Sequence, residues 1–377
     1  MPTGAHPVAI DVTPLVGVRT GIGVTVAEII AALGALDAAP PLVPYALSIR
    51  ARSHRSSLPA ATRFVPLPAR LLLASWTRAD HPRIDRFLGA AELVHATNYL
   101  APPSRHPTLV SVYDCSFVRY PDLCTPEVRA FEPALRRAVS RGATIHTTSA
   151  FVASEIEDIF GPGLDAAGRI EVVPLGVPAL GPSSAEIPDE VAGTIGEGPY
   201  VLAIGTLEPR KNLPLLVRAF GSTAGSHPGL RLVLAGPDGP ARPDVDSAVM
   251  ALPPALRSRV AITGPVGDAA RRALLDNATV LAYPSVYEGF GFPVLEAMAC
   301  DVPVVAARSG AVPEVAGDGA LLVDPADEAA LAAALDSLLS SEDLRRSYVD
   351  RGRERVHLFE WSATAAGLAA VYERMSG

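Results

Sequence analysis

The sequence predicts an α/β protein built from two doubly wound parallel-sheet domains, and three observations carry that prediction. The chain has 377 residues, more than a single typical core organises. Short apolar, β-branched runs alternate with Ala- and Leu-rich helical stretches along most of its length, the pattern of βαβ units. The alternation breaks once, at residues 178–198 (PALGPSSAEIPDEVAGTIGEG), where Pro, Gly, Ser and acids dominate, and then restarts.

The first half opens with VAIDV (8–12), followed by a helical pattern in VTVAEIIAALGAL (24–36). LVSVYD (109–114) is a further strand, followed by a helical pattern near 126–141. After the break come YVLAIG (200–205), LRLVLAG (230–236), VAITG (260–264), TVLAYP (279–284) and VPVVAA (302–307), with helical stretches between them. WSATAAGLAAVYERM (361–375) is the last helix. The division expected is 1–180 for the first domain, 181–198 for a linker, 199–357 for the second domain and 358–377 for a terminal helix. Ligands of such sheets sit at the C-terminal ends of the strands, so two facing sheets are expected to share a cleft.

Hydrophobic residues make up 49% of the chain and charged residues 19%, a balance that excludes disorder. No apolar run approaches the roughly 18–20 residues of a membrane span, and the start MPTGAHPVAIDV lacks the features of a signal peptide, so a cytoplasmic protein is expected. Cys115, Cys124 and Cys300 fit neither a zinc site nor a disulfide framework. A net charge of −8 argues against a nucleic-acid partner. The charge is uneven, because Arg50 to Arg86 holds eight arginines against Asp80 and Asp85. ARLLLASW (69–76) within that span reads either as a solvated face over a buried Leu stripe or as a peripheral contact with a membrane surface or a lipid-linked acceptor.

Lys211 is the only lysine among the 32 Lys and Arg residues. It lies in Gly205-Thr206-Leu207-Glu208-Pro209-Arg210-Lys211-Asn212, between a strand end and a helix start. Adjacent cations and a helix N-terminus attract the same anion, which makes this a place to hold a phosphate rather than a solvated basic turn. The second constellation is Tyr283-Pro284-Ser285-Val286-Tyr287-Glu288-Gly289-Phe290-Gly291-Phe292-Pro293-Val294-Leu295-Glu296. Pro293 suits a first helical turn, which leaves the amides of Gly291 and Phe292 to face a ligand. Glu288 and Glu296 read either as surface charge or as carboxylates that accept pairs of sugar hydroxyls.

Together, GTLEPRKN, the Glu-(seven residues)-Glu segment enclosing GFGFP, and SGAVPEVAGDGALLVDP resemble the retaining glycosyltransferases of family 4, with the GT-B fold and bacterial mannosyltransferases among them. The first half adds TGIG (20–23), VHATNYLAPP (94–103), VYDCSFVRYPD (112–122), TTSAFVASEI (147–156) and VVPLGV (172–177). The resemblance implies a donor diphosphate bound by Arg210 and Lys211, with Gly205 and Thr206 beside it. Glu288 would contact the transferred sugar, Gly291, Phe292 and Pro293 the sugar and phosphate, and Glu296 the ribose. Thr263 to Val266 would lie by the base, and Gly21 and Gly23 would bring a helix start against the diphosphate. His95, Tyr113 and Asp114 would lie on the acceptor side, His95 being equally readable as structural. The terminal helix would return to the first domain. The chain departs from the pattern at Thr206, where many members carry Arg, at Tyr113, where many carry His, and at Val24-Thr25, where Arg-Tyr is common.

The activity so implied is transfer of a hexose from a nucleoside-diphosphate sugar, GDP-mannose or similar, to a glycan, lipid-linked or small-molecule hydroxyl. No metal and no cofactor beyond the nucleotide-sugar co-substrate is expected. Alternatives are a sugar-nucleotide epimerase of the same architecture and a non-catalytic sugar-nucleotide sensor. Asp244-Val245-Asp246 resembles a metal-binding carboxylate pair, but it follows a Pro/Gly-rich loop and reads as a helix cap or solvated face.

Overall fold

The computed structural model describes residues 6–17, 21–47, 49–183 and 186–377. They fall into two compact units: residues up to Gly176 together with Phe359–Gly377, and Val177–Leu358. The first unit contains the parallel strands β1 (Val8–Asp11), β2 (Leu42–Ala46), β3 (Arg63–Phe64), β4 (Leu93–Ala96), β5 (Thr108–Ser111), β6 (Thr144–Thr147) and β7 (Ile170–Val172). Their order is β3-β2-β1-β4-β5-β6-β7. In the second unit, β8 (Tyr200–Ile204), β9 (Arg231–Ala235), β10 (Val260–Gly264), β11 (Val280–Tyr283), β12 (Val304–Ala307) and β13 (Ala320–Val323) lie in the order β10-β9-β8-β11-β12-β13.

The central strands are apolar almost throughout because helices cover both faces of a parallel sheet. Every residue of β8 and β11 is buried. The helix Leu213–Thr223 closes one face by burying Leu213, Leu215, Leu216, Val217 and Phe220. The strand order reverses between β8 and β11, and a crevice for a ligand forms at such a switch point.

Two sequence expectations change. The strand read over 109–114 ends at Ser111, which leaves Tyr113 and Asp114 in the loop beyond it. The segment 181–198 is not wholly a linker, because Asp189–Ile195 is a helix that buries Val191 and Ile195. Asp189 and Glu190 in its first turn complement the helix dipole, and Gly196 at φ 68° ends it. The turn residues around this helix obscured it in the sequence.

The helix Trp361–Ser376 belongs to the first unit, where it packs on the helix Gly21–Gly34 and on β4. Thr364, Ala365, Leu368, Val371 and Tyr372 form its buried stripe. Two glycines permit the approach: a Cβ on Gly176 would stand 2.5 Å from Trp361 Cγ, and one on Gly367 2.8 Å from Val173 Cγ1.

A buried polar chain joins this helix to the sheet. Tyr372 Oη lies 2.7 Å from His95 Nδ1, His95 Nε2 2.9 Å from Ser111 Oγ, Ser111 Oγ 2.8 Å from His146 Nδ1, and His146 Nε2 3.2 Å from the Val173 carbonyl. Burial pushes the His95 imidazole well below its usual range, with His146 adding to the effect, and it pushes His146 down to about 4. Both rings are therefore neutral near pH 7, and the terminal carbonyl sets every proton. His146 Nε2 must donate to it, so Ser111 donates to His146 Nδ1, His95 Nε2 donates to Ser111, and Tyr372 donates to His95 Nδ1.

Tyr372→Phe removes the first donor and strands the buried His95 Nδ1, which should cost about 1–3 kcal/mol of stability. Urea unfolding of the two proteins measures it; an unchanged midpoint would show that the chain contributes nothing to holding the helix.

Candidate active site

The exit of β8 is shaped by glycine. Gly205 has φ 144°, and a Cβ there would lie 3.3 Å from Lys211 Cε. Gly236, at the end of β9 with φ 153°, comes so near that its Cβ would stand 2.1 Å from the Gly205 carbonyl oxygen. The chain then forms a 3₁₀ turn at Pro209–Lys211, reverses at Asn212 with φ 54°, and enters the helix Leu213–Thr223. Lys211 is thereby turned into the protein and is only 8% exposed.

Beyond β11, the loop to Gly291 is pinned on two sides. The Val286 amide donates to the Arg210 carbonyl at 2.8 Å, the Ala311 amide donates to the Glu288 carbonyl at 2.8 Å, and Ser309 Oγ donates to the Val286 carbonyl. Gly310 is needed for this approach, since a Cβ on it would lie 2.4 Å from the Glu288 carbonyl oxygen. Gly291 adopts φ 116° at the cap of the helix Phe292–Ala299, and Pro293 occupies the first turn, as its missing N–H allows. The rings of Phe290 and Phe292 meet edge to face at 5.2 Å.

These two segments bring the first group of predicted residues together. Lys211 Nζ lies 2.6 Å from Glu288 Oε1, and Arg210 Nη1 2.6 Å from Glu288 Oε2. Arg210 Nε also bonds Glu208 at 2.8 Å. The lysine donates to Tyr283 Oη at 3.1 Å, beside a small cavity bounded by Gly205, Lys211, Tyr283 and Ser285. Burial would push the Glu288 carboxyl up, but the charges of Lys211 and Arg210 and the bonds to it outweigh burial and bring it down to about 2. Burial pushes the Lys211 ammonium down, against the pull of Glu288. A buried carboxylate is thus held ionised by two cations, one of them buried.

Glu296, one turn into the helix Phe292–Ala299, is 4% exposed and pairs through Oε2 with Arg271 Nη2, on the neighbouring helix Asp268–Asp276. Thr263 and Val266 flank Gly264, and the Thr263 hydroxyl donates to the Gly264 carbonyl at 2.8 Å. Thr206 is half-buried on the loop after β8.

The remaining predicted residues belong to the first unit. Gly21 opens the helix Gly21–Gly34 and Gly23 is buried in its first turn; Thr20 of the TGIG motif lies outside the described residues. Tyr113 donates its hydroxyl to the Thr97 carbonyl at 2.8 Å, and burial raises that hydroxyl above the usual tyrosine range. Asp114 accepts from the Ser116 amide at 2.9 Å and from its hydroxyl at 2.7 Å, which fixes the loop. His95, read from the sequence as either structural or acceptor-side, is fully buried, and both its ring nitrogens have partners within the chain.

Asp246 pairs with Arg242 on the helix Arg242–Ala251 and forms a solvated face with Asp244 in the first turn. Among the described residues, no group of three or more His, Cys, Asp or Glu side chains could hold a metal ion. In the basic span, the helix Ala69–Trp76 buries Leu72 and Trp76 and leaves Leu71 65% exposed. Among the described residues no helix is long and apolar enough to cross a membrane. None of the three cysteines forms a disulfide.

Arg271, Tyr283 and Gly310 were not identified as site residues from the sequence. Tyr283 opened the quoted run but was given no role of its own. Arg271 and Gly310 carry no local signal, because each meets its partner only through the packing of separate segments.

Residues 187–355 match the family described as glycosyl transferases group 1. The O-antigen chain mannosyltransferase B of Escherichia coli is 31% identical over 278 residues, 71% of each chain. A phosphatidyl-myo-inositol mannosyltransferase of Mycolicibacterium smegmatis is 33% identical over 62% of this chain and 65% of its own. In three dimensions the sucrose-phosphate synthase of Thermosynechococcus elongatus superposes with a TM-score of 0.71 at 21% identity, over 98% of both chains, which speaks for the fold. With two parallel-sheet units, the buried basic and acidic cluster after β8 and β11, and these matches, the chain belongs to the group 1 glycosyltransferases of the GT-B fold.

Proposed function

We propose that this glycosyltransferase moves a hexose, with retention of configuration as in family 4, from GDP-mannose or a similar nucleoside-diphosphate sugar to a hydroxyl of a glycan, lipid-linked or small-molecule acceptor. The observation that carries the proposal is the buried Lys211–Glu288–Arg210 cluster at the switch point of the second sheet. The names of the mannosyltransferase relatives support the choice of sugar. The exposed Leu71 among the arginines of 50–86 supports a lipid-linked acceptor, met in the cytoplasm at the inner membrane face.

In this reading Arg210 and Lys211 bind the donor diphosphate and stabilise the charge that develops as it leaves. The Gly291 and Phe292 amides, at a helix N-terminus, add to the same field. Glu288 sets both cations before the donor arrives and then accepts from hydroxyls of the transferred sugar. In a front-face transfer the acceptor approaches on the side of the departing diphosphate, whose oxygen takes the proton, so no side-chain base is required. Tyr113, tied to Thr97 and with a raised pKa, acts as a positioning hydrogen bonder.

A thermal-shift panel of GDP-, UDP-, dTDP- and ADP-sugars selects the donor, because a ligand that binds only the folded protein raises stability with its affinity. Transfer of radiolabel to an acceptor then separates this reading from an epimerase, and the anomeric configuration of the product tests retention. No stabilisation by any of the four sugars would overturn the proposal.

Lys211→Ala and Glu288→Ala should each lower kcat/KM about 100-fold or more, since both act on charge at the reacting centre. Lys211→Arg should not restore full activity, because a planar fork cannot occupy the place of a compact ammonium. Near-normal turnover by either alanine variant removes these residues from the mechanism.

EDTA should leave transfer intact, because Arg210 and Lys211 supply the positive charge that a divalent ion would otherwise bring to the diphosphate. Activity lost in EDTA and restored by Mn²⁺ or Mg²⁺ contradicts this.

The pH dependence of stability follows from Glu288, whose carboxyl is lowered from 4.5 to about 2 by folding. Its contribution is complete above pH 4.5 and disappears as the pH falls from there toward 2. Glu288→Gln should therefore be much less stable than the unaltered protein at pH 7, with the gap narrowing steadily below pH 4.5. Denaturant unfolding at pH 7 and at pH 3.5 measures both gaps; equal gaps would show that the charge of Glu288 is not the stabilising feature.

A further inference from the structure

Glu296 is a buried carboxylate with two unlike oxygens. Oε2 is engaged by Arg271 Nη2, whereas Oε1 accepts no hydrogen bond among the described residues. The arginine comes from the helix after β10 and the glutamate from the helix after β11, so the contact exists only because the two helices pack side by side. The Glu296 side chain is 5% exposed and that of Arg271 31%, which places the pair at the rim of the protein with the carboxylate on the inner side. The Arg271 Nε is buried without a partner among the described residues, so the guanidinium is not held by a network of its own; its one recorded bond goes to Glu296.

We propose that Arg271 is a positioning residue for donor binding: it clamps Oε2 of Glu296 and so presents Oε1 to a ribose hydroxyl of the nucleoside diphosphate. The role rests on the nucleotide reading of the site given above. A carboxylate free to rotate would spread its acceptors over several rotamers and lose rotamer entropy when a hydroxyl arrives, whereas a clamped one has lost it on folding. An acceptor hydrogen-bonded to a charged partner and already fixed in place makes the better-directed hydrogen bond. Because Arg271 acts on the nucleoside, which does not react, its effect falls on donor binding and not on the chemical step.

The test measures binding of GDP, UDP, ADP and dTDP by calorimetry and steady-state kinetics with the donor sugar of the tightest binder. The proteins are the unaltered chain, Arg271→Met, Arg271→Lys, Glu296→Gln and the double variant Arg271→Met/Glu296→Gln. Arg271→Met should weaken binding and raise KM for the donor about tenfold while kcat changes less than threefold, and Arg271→Lys should recover part of the loss. In the Glu296→Gln background the arginine substitution should add little, since its effect passes through the carboxylate. Binding by Arg271→Met equal to that of the unaltered protein overturns the proposal, and so does a full tenfold loss in the Glu296→Gln background, which would mean that Arg271 touches the ligand itself. If Arg271→Met does not fold, Arg271→Lys decides on the same split between KM and kcat. Failure of all four nucleotides to bind the unaltered chain overturns the nucleotide reading, and this role with it.

Discussion

The second unit is organised around one electrostatic constraint, the burial of the Glu288 carboxylate between Lys211 and Arg210. Removing a charge from water costs several kcal/mol unless it is paired and bonded, so the three side chains must be placed together or not at all. Much of the local backbone serves that placement. Gly205 and Gly236 let two strand exits meet and leave room for the lysine, Asn212 turns the chain in the left-handed region, and Gly310 lets a neighbouring segment grip the Glu288 backbone. Each of the three glycines would meet a clash or strain with a larger side chain.

A buried ion cluster is weak evidence for stability alone, because apolar side chains of similar volume often serve as well. Its position at the reversal of strand order, where such folds leave a crevice, is the ground for the role proposed for it. The contrast with the first unit is instructive. The His95–Ser111–His146 chain is also polar and buried, but its histidines are neutral, its donors and acceptors are matched in sequence, and it ends on a backbone carbonyl. That chain is complete without a ligand. The Lys211 cluster instead sets two cations against one buried carboxylate.

Arg210 and Lys211 were legible because adjacent cations at a strand-to-helix transition have a physical reason to exist, and because a single lysine in an arginine-rich chain draws notice. Glu288 and Glu296 were legible as a spaced pair around glycines and a helix-starting proline. His95 was legible only as a residue type after an apolar run; its partners come from β5 and from Tyr372, 277 positions away, and no local pattern announces them. Arg271 was invisible for the same reason.

By itself the sequence determined the class of fold, the positions of most strands, and the two segments that carry the charged cluster. Those properties depend on periodicity, glycine and proline placement and residue type, which act over a few residues. Tertiary structure alone decided that Asp189–Ile195 is a helix inside a linker-like stretch, that His95 is closed off within the core, and that Arg271 reaches Glu296. Each depends on which distant surfaces meet when the elements pack, and hydrogen bonds and ion pairs at about 3 Å are settled only at that stage.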